Sequence, residues 1–375
     1  MIKPITRIPR ERVSQFLAYY HANETRCDIA FFLFGIIFDI FTLASIDDAL
    51  AITQQIVYLL IIGGFIFWEF TAKREDFKID SLKKTIWDYH PLIIHFLLGS
   101  LLSAYSLFFI KSASLFSSIF FILIMIGLLV ANEIKSLQNS NWNFKWALYL
   151  LCIFCFFSMT TPLWMGFVGL TPFLFALLAS VGVLYGFFRL LRKQLGELVI
   201  LKKRLLIPGI STLSLLTLFY FLGWIPPVPL AATHMGIYHH VEKKGDQYFV
   251  HHMRPSWKIW HNGDQDFIAR PGDKIYFFAK LYSPSGFSDS VFLHWHFHDQ
   301  KHGWQSTDRI PMAIAGGREE GYRGFSVKQN FQAGEWKVSV ETTDGREIGR
   351  IYLTVRTSSD TDSKDQSSNF ITETH

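Results

Sequence analysis

Through the first two thirds of the chain, apolar residues come in long runs rather than as a one-sided stripe. Seven runs stand out: Ile29–Ile46, Leu50–Phe70, Pro91–Ile110, Leu115–Ala131, Trp146–Trp164, Phe167–Phe188 and Leu205–Trp224. Each is near the roughly 20 residues a helix needs to cross an apolar layer about 30 Å thick, so about seven membrane helices are expected. The fifth and sixth are separated only around Thr160-Thr161-Pro162, which also admits a re-entrant pair. Ahead of the first run, Val13, Phe16, Leu17 and Tyr20 share one face of a helix, an amphipathic segment suited either to the inner membrane surface or to a cytoplasmic loop.

After Trp224 the period changes. Pro226, Pro227 and Pro229 end the helix, because proline lacks the N–H that a helix interior needs. Alternating strand-like segments follow at Ile237–Val241, Gln247–Met253, Lys274–Tyr282, Val291–Asp299, Trp304–Ile314, Tyr322–Asn330, Glu335–Thr343 and Glu347–Arg356. Turn signals punctuate them, the clearest being Asp344-Gly345, which supplies the positive φ of a tight hairpin. Strands without helical periodicity predict an all-β antiparallel sandwich. The expected organisation is an amphipathic segment at 1–28, a multi-pass helical membrane domain at 29–224, a Pro-rich linker at 225–233, the sandwich at 234–356 and a disordered tail at 357–375. The tail is rich in Ser, Thr and Asp and poor in apolar residues.

Composition sharpens this division. Half the chain is hydrophobic, 18% is charged and Phe occupies 37 positions, which excludes both disorder and a wholly soluble fold. Residues 1–224 carry 19 Lys and Arg against 13 Asp and Glu, whereas 225–375 carry 17 against 18. The basic residues also alternate between loops. Eighteen fall before the first run, after the second, between the fourth and fifth, and between the sixth and seventh; Lys111 is the one that falls elsewhere. Because Lys and Arg are retained in cytoplasmic loops, the N terminus is expected in the cytoplasm and, after seven crossings, the β domain outside. No cleavable signal peptide is expected, since the first apolar run starts near Ile29 without a small-residue cleavage site.

One stretch of the β domain resembles a known family. Val291-Phe-Leu-His-Trp295-His, Gly303-Trp304, Arg309-Ile310, Gly321-Tyr-Arg323-Gly-Phe325, Gly334-Glu-Trp336-Lys-Val-Ser-Val340 and Asp344-Gly345-Arg-Glu-Ile348-Gly are similar to the bacterial domain of unknown function 2914. The similarity spans Val291–Val355. It implies a compact β-rich module at the C-terminus of a multi-pass bacterial inner-membrane protein, facing the periplasm or the exterior, and lends no catalytic residue. Tyr322-Arg323-Gly324-Phe325 matches only loosely the family's Arg-Trp-rich segment.

Candidate chemistry falls in three places. Asp39 and His95 lie inside apolar runs, where ionisable groups are costly; they serve either a proton or ion pathway or hydrogen bonds between helices. Ten of the fourteen His residues fall between His234 and His302. His294, His296 and His298 alternate on one strand face and suit Zn or Cu, with His239-His240 or His251-His252 as further ligands. A pH sensor or a plain polar face are the other readings. Trp257, Trp260 and Trp304 lie in or beside loops and suit a glycan or a partner protein. Cys152-x-x-Cys155 falls within an apolar run, where Cys packs as a small residue; Gly63-Gly64 and Gly182-x-x-x-Gly186 suggest close helix packing.

Gly-x-Ser-x-Gly, the phosphate-binding Gly-rich loop and His-Glu-x-x-His do not occur. A near-neutral external domain gives nucleic acid nothing to bind. Two functions remain: a membrane protein presenting an external sandwich that binds a partner, a glycan or a metal, and a transporter or membrane-embedded enzyme working through Asp39 and His95 with the sandwich as a lid.

Overall fold

The computed structural model describes residues 46–71, 81–133, 142–195, 198–255, 257–315, 321–357 and 370–374 of the 375. Among the described residues, six helices precede the strands: α1 (Ala49–Thr71), α2 (Ser81–Ser112), α3 (Leu115–Glu133), α4 (Trp142–Met165), α5 (Leu170–Leu195) and α6 (Leu198–Phe221). Five are long and apolar enough to cross a membrane, while the apolar stretch of α3, Phe116–Asn132, is shorter. The expected count of seven is therefore not matched among the described residues. The first expected span, with Asp39, and the amphipathic segment lie outside them.

α4 and α5 are separate long helices joined at Gly166–Gly169. The backbone groups near Pro162 are covered locally, as apolar surroundings require: the hydroxyls of Thr160 and Thr161 donate to the carbonyls of Phe156 (2.9 Å) and Phe157 (2.8 Å). α6 contains a widened π turn at Lys202–Leu206, a geometry that opens carbonyls to a second donor. The indole N–H of the fully buried Trp146 donates to the Leu205 carbonyl at 3.0 Å. Of the expected close-packing glycines, Gly63 takes part in a helix contact, and Gly209 makes another. A Cβ at Gly63 would lie 2.5 Å from the Tyr149 hydroxyl and one at Gly209 would lie 2.9 Å from Leu150, whereas Gly182, Gly186 and Gly64 face open space.

Eleven strands follow among the described residues: β1 (Ala231–Tyr238), β2 (His240–Lys244), β3 (Gln247–His252), β4 (Asp266–Ala269), β5 (Ile275–Tyr282), β6 (Ser288–Asp299), β7 (Gly303–Ala315), β8 (Tyr322–Lys328), β9 (Gly334–Glu341), β10 (Glu347–Thr357) and β11 (Ile371–Thr374). A three-stranded sheet, β1-β5-β8, faces a five-stranded sheet, β4-β10-β9-β6-β7. Ile237, Phe277 and Leu281 from the first meet Leu293, Trp295, Val338 and Leu353 from the second in one core.

Three expectations change here. β4 pairs with β10 in parallel, so the sandwich is not wholly antiparallel. A third sheet, β11-β3-β2, packs Val241, Tyr248 and Val250 against Tyr238 and Phe278, so β5 is buried on both faces and the domain has three layers. Thr372 and its neighbours in the expected tail form β11, paired antiparallel with β3; an edge strand offers unpaired N–H and C=O groups that even a polar segment can use.

The sandwich is docked on one end of the helical bundle. Val168, between α4 and α5, is buried in the sandwich core. Its N–H donates to Asp289 (2.9 Å), and the Ser288 N–H donates to the Gly166 carbonyl (2.8 Å). The Tyr220 hydroxyl at the end of α6 donates to Asp344 (2.6 Å) in the β9–β10 turn. Ser114 donates to Glu347, and Ser285 to Asp47 at 3.2 Å. Lys145, Arg189, Arg192, Lys193, Lys202, Lys203 and Arg204 sit toward the opposite helix ends.

Replacing Trp146 by Phe keeps the ring but leaves the Leu205 carbonyl without that donor. Thermal unfolding of the detergent-solubilised protein should show a loss of about 1–3 kcal/mol.

Candidate ligand-binding site

The chain between β3 and β4 folds back on the end of β1 farthest from α6, roughly 20 Å away at about 3.3 Å per strand residue. The Ile237 N–H donates to the Asn262 carbonyl (3.2 Å), and the Asp264 N–H returns a bond to the Ile237 carbonyl (2.7 Å). Gly263 makes this approach possible: its φ is +70°, and a Cβ there would collide with the Ile237 carbonyl oxygen. The Arg254 guanidinium gathers the loop by donating to the carbonyls of Lys258 (3.1 Å) and His261.

Between this loop and the sheets lies a cavity of about 190 Å³ lined by His239, Arg254, Lys258, His261, Asp264 and Asp266, among others. The Met253 N–H donates to both carboxylate oxygens of Asp264, at 3.0 and 2.9 Å. His239 stacks on Phe267, ring centroids 4.2 Å apart, with Nε2 3.6 Å from Asp264 and Nδ1 3.7 Å from Asp273. Burial pushes the His239 imidazole down to about 4 and the Asp264 carboxyl up to about 6. A neutral imidazole therefore stands beside a carboxylate at neutral pH. The Lys258 ammonium binds Asp266 and holds its carboxyl below the usual range. Donors and acceptors are thus mixed across the floor.

Two of the three expected aromatic residues lie on the same loop, outside the lining of the cavity itself. Trp257 and Trp260 are 63% and 65% exposed, with ring centroids 5.7 Å apart, and flank the cavity-lining Lys258. Trp304 lies elsewhere, on the outer face of the five-stranded sheet against His298 (4.9 Å) and Tyr352 (5.7 Å).

That outer face carries the alternating imidazoles. The His294 and His296 rings stack 3.9 Å apart, while His298 turns to Trp304 and to Glu335, 3.7 Å away. His294 Nδ1 lies 3.1 Å from Glu341, and its Nε2 lies 2.7 Å from the Ser306 hydroxyl. Burial, with Lys337 nearby, pushes His296 down to about 4. The further ligands expected from His240 and His251 face each other across β2 and β3, on a different sheet. His252 is bonded to Glu373 of β11 at 3.0 Å. Among the described residues no group of three or more His, Cys, Asp or Glu is arranged to hold a metal ion.

Inside the bundle, His95 is half-buried and its carbonyl accepts from Asn132 at 3.3 Å. The ionisable cluster in the bundle lies instead at Glu69, which His90 meets at 2.8 Å and Lys145 at 3.1 Å. Cys152 and Cys155 are buried and free.

The chain thus joins helices, five of them long and apolar enough to cross a membrane, to a layered β domain. Within it, residues 288–355 match the family model described as "Protein of unknown function (DUF2914)". No curated protein matches the sequence. Among solved structures, an immunoglobulin-like protein from Pseudomonas aeruginosa is 13% identical over 33% of this chain and 98% of its own, with a TM-score of 0.19. A β-glucosidase from Listeria innocua in complex with glucose is 9% identical over 31% of this chain and 16% of its own, TM-score 0.19. The DNA glycosylase AlkC from Pseudomonas fluorescens is 10% identical over 84% of this chain and 100% of its own, TM-score 0.22.

His239 and Asp264 give opposite pH signatures. His239 has a depressed folded value, so its contribution to stability is full above about 6.5 and is lost as pH falls toward about 4. Asp264, raised to about 6, acts in the reverse sense as pH falls from 6. In unfolding scans between pH 4 and 7.5, His239→Gln should gain relative to wild type as the solution is acidified. Asp264→Asn should gain relative to wild type as pH rises.

Proposed function

We propose that this is a multi-pass protein of a bacterial cytoplasmic membrane whose β domain lies on the extracytoplasmic side and binds a glycan. The orientation is supported by charge. Lys and Arg concentrate toward the helix ends away from the β domain, whereas the Ser112–Ser114, Gly166–Gly169 and Leu222–Trp224 connections beside it hold none. Fusion of alkaline phosphatase after Pro229 should give active enzyme; an inactive fusion, with a fluorescent reporter glowing at the same site, overturns this orientation.

The observation that carries the binding reading is the pair of exposed indoles on either side of Lys258, which lines a cavity whose floor mixes charged donors and acceptors. Indole faces offer large rigid apolar area at little entropic cost, and sugar rings present C–H faces to them and hydroxyls to groups such as Asp264, Arg254 and Lys258. Lys258–Asp266 and Arg254–Glu373 pairing leaves little net charge, which favours a neutral polyol over a strongly anionic ligand. The expected ligand is a neutral oligosaccharide. Intrinsic fluorescence of the full chain in detergent should change on titration with such oligomers, and Trp257→Ala or Trp260→Ala should weaken binding roughly 30-fold, the scale of an interface anchor worth about 2 kcal/mol. An unchanged affinity in both variants overturns the reading.

A further inference from the structure

The outer face of the five-stranded sheet holds a second arrangement, independent of the cavity lined by His239 and Asp264. On three neighbouring strands, β7, β6 and β9, the Ser306 hydroxyl lies 2.7 Å from His294 Nε2, and His294 Nδ1 lies 3.1 and 3.2 Å from the two oxygens of Glu341. Ser339 donates to Glu341 at 2.6 Å, fixing the carboxylate from its other side. A carboxylate on Nδ1 holds the imidazole proton there and leaves Nε2 free to accept from a hydroxyl. The order hydroxyl, imidazole, carboxylate is that of a serine nucleophile with its base and its orienting group.

The surroundings suggest what would be attacked. His296 stacks on His294, and Lys337 lies opposite His296 in the β6–β9 register. The Lys337 ammonium, 5.2 Å from the Trp304 ring centroid, and Arg309, opposite His294 in the β6–β7 register, are cations on the strands beside the site. Trp304 continues to Tyr352 (5.7 Å) and then to Phe116 (5.6 Å), a 62% exposed residue in the first turn of the apolar helix α3. An aromatic strip thus runs from the bundle surface to Ser306.

We propose that Ser306, His294 and Glu341 form an esterase site acting on the carboxylic ester of a membrane-borne lipid, with the acyl chain lying along Trp304, Tyr352 and Phe116. It rests on the membrane reading of α3 but not on glycan binding. Ser306 Oγ forms a bond to the ester carbonyl carbon as its proton passes to His294 Nε2, and Lys337 faces the developing oxyanion. The C–O bond to the alcohol breaks and the alcohol leaves with that proton. Water then attacks the acyl-serine, giving a proton to His294 that returns to Ser306 Oγ as the acid departs. The net reaction is ester plus water to acid plus alcohol.

The full chain in lipid nanodiscs should be treated with an alkyl fluorophosphonate and digested for peptide mass mapping. The expected result is an adduct on Ser306, absent in Ser306→Ala, slowed at least 100-fold in His294→Gln and about 10²- to 10⁴-fold in Glu341→Gln, and unchanged in His302→Ala. No adduct on Ser306, or one formed equally fast in His294→Gln, overturns the site. Hydrolysis of 4-nitrophenyl decanoate and acetate tests the lipid route. Phe116→Ala should raise KM severalfold more for the decanoate than for the acetate, whose acyl group is too short to reach Phe116; a decanoate KM unchanged by the substitution overturns the lipid assignment. Loss of oligosaccharide binding in the Trp257 and Trp260 variants has no bearing on either readout.

Discussion

The docking of the β domain onto one end of the helical bundle is the constraint from which the rest follows. Val168 is a residue of a helix connection, yet it is buried among the sandwich residues. Around it, bonds to Asp289 and Ser288, to Asp344 and to Glu347 tie three separate parts of the bundle to the sheets. A single flexible linker would leave relative motion as the default for two domains. Here an apolar plug ringed by hydrogen bonds holds the sheets against the helix ends poorest in Lys and Arg, and so fixes both the direction in which the Trp-bearing loop points and the closeness of Tyr352 and Arg350 to α3.

Within the bundle, several polar groups are paired across helices. Glu69, near the end of α1, lies between His90 and Lys145 with its side chain only 13% exposed. The Leu205 carbonyl meets the Trp146 indole, and Thr160 and Thr161 cover the turn before Pro162. These pairings keep polar atoms satisfied in an apolar bundle, and Glu69 with His90 and Lys145 reads as a clamp among three helices.

In the β domain, alternation placed Leu293, Trp295, His294 and His296 on their correct faces because side-chain direction along a strand has period two. The Asp344-Gly345 turn was equally readable, since its chemistry is local. The loop indoles Trp257 and Trp260 stood out as exposed aromatic residues between strands. Their floor did not: His239 and Asp264 meet only because Gly263 lets the loop return to β1. Ser306, His294 and Glu341 come from three strands, and no motif announces them. The third sheet was hidden for a related reason. A polar segment can complete an edge through its backbone alone, so β11 left no apolar trace.

The sequence by itself determined the division into apolar helices and β domain, the alternation of each strand's faces and the asymmetry of basic charge, because these depend on local composition and on the fixed periods of helix and strand. Only the tertiary structure decided which residues meet: that Trp304 parts from Trp257 and Trp260, that His298 turns from its neighbours to Trp304, and that Val168 joins a distant core. Such meetings are set by register, sheet order and docking, which bring together positions tens to hundreds of residues apart. No local pattern records them.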